Sequence, residues 1–411
     1  MLGVSRPSLK ATILLSSGIS SKIRKHVARE VAKLPRPPYL MVLHIGSRPD
    51  SLSYIRLKKK AAEECGINYG LKNLPETISQ TALHRELTEL SNNPAVDGIL
   101  LQLPLPGHLR VISSLLHIHP NKDVDGLNIL NSGNLFLRDQ VSLTEFLALK
   151  FSEKTRCNHM FEDAIIMSTG ESCFSELTRE SHEANYFIPC TALSVRCILL
   201  CYLFEAKKLP PYVPESEVRN LHVVIVNRSM VVGIPTAALL QKEGFIVTIC
   251  GRNNSLESLK KIMKTADIVI TAYGQAEIFN AEFFKEGAVI IDVGINELPV
   301  EKCGNGNSSS AKHKICGDVN LASVLEVASA ISPTPGGVGP LTVAYLMQNI
   351  LKASRLRCGD RTFMDSIYSS SLKAHEADDI PDQKSTLPPQ YQSLLGFGER
   401  GENVDDNNFG V

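Results

Sequence analysis

Short apolar runs bounded by glycine, proline and small polar residues recur along this chain, each followed by a stretch of helix length, and they come in two separate series. In the first, Tyr39-Leu40-Met41-Val42-Leu43-His44-Ile45 leads into a helix that runs to about Glu64. A strand near Ile67 to Leu71, a helix from Ala82 to Ser91 and the strand Gly98-Ile99-Leu100-Leu101-Gln102-Leu103 follow. An earlier apolar run, Ala11 to Leu15, and a helix from about Ser20 to Lys33 precede them. The second series has strands at His222 to Val226, Phe245 to Cys250, Ile268 to Thr271 and Ala288 to Asp292. Such alternation predicts parallel sheets with crossover helices, an α/β fold whose ligands sit beyond the carboxyl ends of the strands. A chain of 411 residues has room for two such units.

Within the first series, Ser51-x-x-Tyr54-x-x-x-Lys58 opens a helix and sets a hydroxyl, an aromatic ring and an amine on one face, while Leu52, Ile55 and Ala62 cover the other. The ring can stack on a flat ligand, and a lysine enclosed in a pocket can give up its proton near neutral pH. Taken alone, Lys58-Lys59-Lys60 reads first as a solvated basic face. Gln102 stands at a strand end beside Pro104-Leu105-Pro106, as a site residue or a structural amide. Asp123 and Asp125 lie in Lys122-Asp123-Val124-Asp125-Gly126, where turn chemistry alone could account for both.

The second series has a nucleotide-binding βαβ layout without G-x-G-x-x-G. Its first strand runs into Asn227-Arg228-Ser229 and then Val232-Gly233-Ile234-Pro235, where backbone amides at a helix start can meet phosphate. After the next strand comes Gly251-Arg252, not the acid that holds a free ribose, so the position leans towards NADP, with NAD the alternative. Farther on, Pro335-Gly336-Gly337-Val338-Gly339-Pro340 lets backbone pass close to a ligand before a helix that reaches about Arg355.

Formal net charge is zero, so no global field favours nucleic acid or an anionic membrane, and no apolar run approaches the length of a membrane span. The ten cysteines form no CxxC pair and no metal-ligand spacing, which predicts reduced thiols and no metal. The first acid is Glu30. The Ser-, Lys- and Arg-rich stretch before it fits a mitochondrial presequence or the first strand and helix. The structural reading is preferred, with the protein cytoplasmic or mitochondrial. The stretch 138–186 loses periodicity and reads as an insertion, 304–310 as a polar loop tip, and 358–411 as a disordered tail.

Taken in order, Ser51-x-x-Tyr54-x-x-x-Lys58, Leu101-Gln102-Leu103-Pro104-Leu105-Pro106, Lys122-Asp123-Val124-Asp125-Gly126, Pro189-Cys190-Thr191, Arg228-Ser229-x-x-Val232-Gly233-x-Pro235, Asp292-Val293-Gly294-Ile295-Asn296, Gly317-Asp318-Val319 and Pro335-Gly336-Gly337-Val338-Gly339-Pro340 resemble the bifunctional methylenetetrahydrofolate dehydrogenase/methenyltetrahydrofolate cyclohydrolase family. The resemblance implies two α/β domains flanking a cleft, the second a Rossmann-like parallel sheet. Its divisions fall at 1–137 plus 341–357 for folate and at 187–340 for NAD(P). It implies oxidation of 5,10-methylenetetrahydrofolate with NADP and hydrolysis to 10-formyltetrahydrofolate, a link to purine biosynthesis, and a homodimer. Lys58, Gln102 and Tyr54 become catalytic. Ser51, Tyr54, Asp125, Pro335, Gly336, Gly337 and Gly339 become substrate-binding, and Asn227, Arg228, Ser229, Arg252 and Ile295 cofactor-binding. The chain departs from the family at Asn227, where the family has glycine, and at Ala192-Leu193-Ser194. These departures and the insertion leave two alternatives: a cyclohydrolase with weakened dehydrogenase, or a non-catalytic binding protein on the same scaffold.

Overall fold

The computed structural model describes residues 11–137, 186–206, 220–299 and 313–356. The chain begins with β1 (Thr12–Ile13) and α1 (Ser17–Val31). It continues through β2 (Tyr39–Ile45), α2 (Pro49–Glu64), β3 (Asn68–Leu74), α3 (Gln80–Asn92), β4 (Gly98–Leu101), α4 (Val111–Leu115) and α5 (Ile129–Leu137). After the first gap come α6 (Cys190–Ala206), β5 (His222–Val226), α7 (Gly233–Lys242), β6 (Ile246–Cys250), α8 (Leu256–Met263), β7 (Ile268–Thr271), β8 (Val289–Asp292) and β9 (Asn296–Pro299). The last described elements are β10 (His313–Cys316), α9 (Leu321–Val324), β11 (Ala330–Ser332) and α10 (Val338–Leu356).

Two parallel sheets result, one of three strands in the order β3-β2-β4 and one of six in the order β1-β11-β8-β7-β5-β6. The apolar runs explain them: β4, β7 and β8 are buried along their whole length, as parallel strands covered on both faces must be. Helix boundaries follow local chemistry. Pro49 sits in the first turn of α2, where its missing N–H costs nothing, and the Ser79 hydroxyl accepts from Ala82 N at 3.2 Å to cap α3.

The first strand expected from the sequence does not join the first sheet. Thr12 and Ile13 pair with Ala330 and Ile331 of β11, and Ala11 is buried in the core of the six-stranded sheet. The strand expected over 98–103 ends at Leu101, where Gln102 and the Leu103–Pro104 peptide turn away. An antiparallel hairpin, β9 with β10, was not anticipated. The polar loop tip between its strands, the insertion at 138–186 except for Tyr186, and the tail lie outside the described residues. The last helix, α10, is buried along most of its length and packs on α1, α6 and α2. It connects the two halves across their interface, with Leu346, Met347, Ile350 and Leu351 in one core with Ile23, Val27, Leu199 and Leu203. Among the described residues, no helix is long and apolar enough to cross a membrane.

Candidate active site

Parallel register sets the site. Leu43 pairs with Leu101, so β4 ends level with β2, and Gln102 N donates to Leu43 O at 2.9 Å. The Gln102 side chain is fixed at both ends: Nε2 donates to the Leu103 carbonyl at 2.8 Å, and Oε1 accepts from Lys58 Nζ at 2.8 Å. Lys58 stands on α2, one turn beyond the half-buried Tyr54 and two beyond the buried Ser51. Burial pulls the Lys58 ammonium below the ordinary lysine range, while the neighbouring Asp125 carboxylate draws it back up. Burial in turn raises the Asp125 carboxyl, and Lys58 opposes that rise. Both groups are thus moved towards neutrality, the condition of a proton carrier at neutral pH.

The two aspartates of the turn part company. Asp123 is structural: its carboxylate accepts from Asn128 N at 2.7 Å and from Asn131 Nδ2 at 2.9 Å, and burial pushes it up to about 6. Asp125 faces Lys58 because Gly126 has left-handed backbone, φ 73°, and no side chain. A Cβ there would lie 2.7 Å from the Ile188 carbonyl carbon. That contact brings in Cys190, whose thiol lies 3.5 Å from Val124 O and within hydrogen-bond reach of Asp125. Asn349 of α10 closes the group, donating to Val124 O at 2.8 Å and to Cys190 Sγ at 3.4 Å. Cys190 and Asn349 are the two residues of this cluster not named from the sequence as site residues. The signal available for Cys190 was the Pro-Cys-Thr motif, and for Asn349 there was none.

The glycine loop forms the facing wall. A Cβ on Gly339 would lie 3.7 Å from the Tyr54 hydroxyl, and burial raises that phenol to about 12. Gly336 has φ 105°, and Gly337 leaves no room for a side chain, since a Cβ would lie 2.2 Å from Ser332 Oγ. Ser16 holds this loop, donating its hydroxyl to Gly337 O and its amide to Gly336 O at 3.1 Å. Pro335 is exposed, and Thr334 Oγ1 donates to Asp292 O at 3.1 Å, tying the loop to the larger sheet.

At the ends of β5, β6 and β7 lie the remaining candidates. The Arg228 stem crosses Gly251, where a Cβ would meet its Cδ at 2.9 Å. At Gly274 it is the guanidinium of Arg252 that passes, a Cβ there falling 2.2 Å from Nη2. Its Nε donates to Tyr273 O at 2.6 Å, and its guanidinium stands 5.9 Å from the Tyr273 ring centre. Two glycines thus give two guanidinium groups their places beyond the carboxyl ends of these strands. Asn227 is not at positive φ; among the described residues Glu277 alone of the non-glycines is. Its side chain is instead folded back into the turn. Ser229 is buried and its Oγ accepts from Val232 N at 3.1 Å. Ile295 is half-buried just past β8. Beneath these loops Asp292 and Asp318 form a buried carboxyl pair. Asp292 is raised to about 7 by burial and then by Asp318, and it accepts from Asp318 N at 3.1 Å and Val319 N at 2.9 Å. Asp318 accepts from Gly274 N at 2.9 Å and Asn296 Nδ2 at 3.0 Å.

Comparison with known proteins points to one family. Residues 14–125 match the tetrahydrofolate dehydrogenase/cyclohydrolase catalytic domain, and residues 189–358 match the NAD(P)-binding domain of the same name. The chain is 33% identical over 350 residues to the bifunctional protein FolD of Halalkalibacterium halodurans, covering 84% of this chain and all of that one. It is 30% identical over 390 residues to the cytoplasmic C-1-tetrahydrofolate synthase of Schizosaccharomyces pombe, covering 93% of this chain and 35% of that protein. The Trypanosoma brucei methylenetetrahydrofolate dehydrogenase-cyclohydrolase, solved with NADP and an inhibitor, superposes with a TM-score of 0.65 at 29% identity, over 85% of this chain and 99% of that one.

Proposed function

Because the chain belongs to the tetrahydrofolate dehydrogenase/cyclohydrolase family, we propose that the Lys58–Gln102–Asp125 cluster is the centre at which it works on folate. The protein is an NADP-dependent enzyme of one-carbon folate metabolism. It oxidises 5,10-methylenetetrahydrofolate to the methenyl cation and hydrolyses that cation to 10-formyltetrahydrofolate.

The single observation that carries the assignment of roles is the 2.8 Å hydrogen bond from Lys58 to Gln102 with Asp125 facing it. Hydrolysis needs a water to lose a proton and a ring nitrogen to gain one. A lysine held below its usual value by burial does both, and Gln102 fixes where it does so. Tyr54 offers its ring to the flat pterin, against the wall made by Gly336, Gly337 and Gly339. Asp125 accepts from the donor edge of the pterin. Ser51 lines the same helix face.

NADP, when bound, accepts the hydride. The residues present suit it: Arg228 and Arg252 stand ready for phosphate, Ser229 keeps a hydroxyl proton to donate, and Ile295 offers apolar contact beyond β8. The reading favours a folate unit at 1–137 with 341–357 and a nucleotide unit at 187–340, with β1 lent to the sheet of the second. A homodimer, a cytoplasmic location like that named for the fission-yeast relative, and supply of formyl groups to purine biosynthesis complete it. Absorbance of the purified protein with 5,10-methylenetetrahydrofolate tests the function. Cofactor reduction and methenyl formation are followed separately with NADP and with NAD. Reduction with NADP preferred supports it; hydrolysis of added methenyl substrate without reduction by either nucleotide rejects the dehydrogenase half.

A further inference from the structure

Asn227 occupies a position at which its side chain does the work of an anion. Its Oδ1 accepts from Ser229 N at 2.7 Å, inside the β5–α7 turn, and from Gly233 N at 3.0 Å, the first residue of α7. A helix start is a natural seat for a negative oxygen, and here a neutral carboxamide oxygen fills it. The other end of the same group is anchored, Nδ2 donating to Ala272 O at 2.6 Å just past β7. Asn227 is 9% exposed and Ser229 7%, so the amides it satisfies would be costly to leave bare. Gly233 permits the arrangement, since a Cβ there would lie 2.0 Å from the Asn227 carbonyl oxygen. Within the turn, Ser229 Oγ accepts from Val232 N, and Ser229 O accepts from Ile234 N at 3.1 Å. Every one of these bonds lies inside the protein, and none requires a nucleotide.

We infer that Asn227 is a positioning residue for the nucleotide: its carboxamide braces the β5–α7 turn against the end of β7, so the turn that carries Arg228 is set before any cofactor arrives. The brace also joins the two supports of the arginine pair. Arg228 leaves the turn directly after Asn227, and Arg252 is bonded to Tyr273, the residue after Ala272. Arg228 thus depends on this side chain directly, whereas Arg252 keeps its own bond to Tyr273 O. Apparent affinity falls in proportion to the fraction of molecules with the competent conformation. A turn that must order on binding thus weakens NADP and NAD alike.

This inference rests on the nucleotide-binding reading, and its test separates the two. Hydrogen exchange of the nucleotide-free protein is compared for the wild type and Asn227→Ala, peptide by peptide. The expected result is fast exchange confined to residues 228–234 in the variant, with the rest unchanged. Titration calorimetry should then show NADP and NAD weakened by a similar factor, about tenfold. Asn227→Asp keeps an acceptor but loses the donor to Ala272 O, and should loosen the same peptide. Unchanged exchange across 228–234 in Asn227→Ala overturns the brace, whatever the nucleotide result. So does a loss confined to NADP, which would make Asn227 a contact to the 2′-phosphate. If the wild type binds neither nucleotide, the functional reading fails while the exchange result still decides the brace.

Discussion

Lys58 on the second helix and Gln102 at the end of the third strand of the small sheet are joined by a 2.8 Å hydrogen bond across 44 residues of sequence. The amide is held from behind by the Leu103 carbonyl, so its oxygen has one orientation, and the lysine has one place to put its nitrogen. A proton carrier fixed in this manner acts at a defined atom of its substrate.

Lys58→Met keeps the length of the side chain and removes the proton. Hydrolysis of methenyltetrahydrofolate should fall by roughly 10²–10⁴, the usual worth of a positioned acid or base. Hydride transfer to NADP should persist. Methenyl decay and cofactor reduction, read in one cuvette, check this. Hydrolysis at the unmutated rate would falsify the role given to Lys58.

Arg252→Ala should weaken NADP by about ten- to a hundredfold, as loss of charge-assisted hydrogen bonds worth about 1.5–3 kcal/mol implies. NAD, which has no 2′-phosphate, should change little. Titration of both nucleotides decides it. An equal loss for the two would mean that the arginine serves only to hold the Tyr273 carbonyl.

Gly126→Ala tests how Asp125 is aimed. The substitution puts a side chain at φ 73° and within 2.7 Å of the Ile188 backbone. A cost of about 1–3 kcal/mol for the strained backbone is expected, and more if the loop cannot shift. Thermal melting should show a drop of several degrees, and both activities should fall as the carboxylate leaves Lys58. An unshifted melting temperature would refute the close approach.

Lys352 gives a pH test on a group that has no part in the proposed chemistry. It is buried on the last helix, donates to Tyr186 O at 2.7 Å and stands 5.2 Å from the Phe187 ring centre. Burial lowers it from 10.5 to about 7. Between those values the unfolded chain holds a proton that the folded protein has released, so this group makes stability rise with pH from about 7 towards 10.5. Lys352→Met removes that contribution. The variant should exceed the wild type in melting temperature near pH 7, and the gap should close towards pH 10. A gap that does not change with pH would rule the titration out.

The spacing of Ser51, Tyr54 and Lys58 was legible because helical geometry is local, and Gln102 because strand ends follow from apolar runs. Asp125 and Cys190 are 65 residues apart in sequence. Their meeting depends on a glycine contact that no periodicity encodes. From sequence, Asn227 stood out only as a departure from the family's glycine. The bond to Ala272 lies across the sheet and could not be read from neighbours in the chain. The strand at Thr12 and Ile13 was visible as a strand, but its partner was not: alternation along the chain says nothing about which of two sheets has an open edge.

That partner has a consequence for how the molecule is made. Strand β1 pairs with Ala330 and Ile331, and α1 packs on the helix that runs to Leu356. More than 300 further residues must therefore be translated before β1 has its strand partner and α1 its most extensive one. For that interval Ile23, Val27 and Val31 lack the cover that α10 gives them, and apolar surface exposed in this manner during synthesis is prone to aggregation.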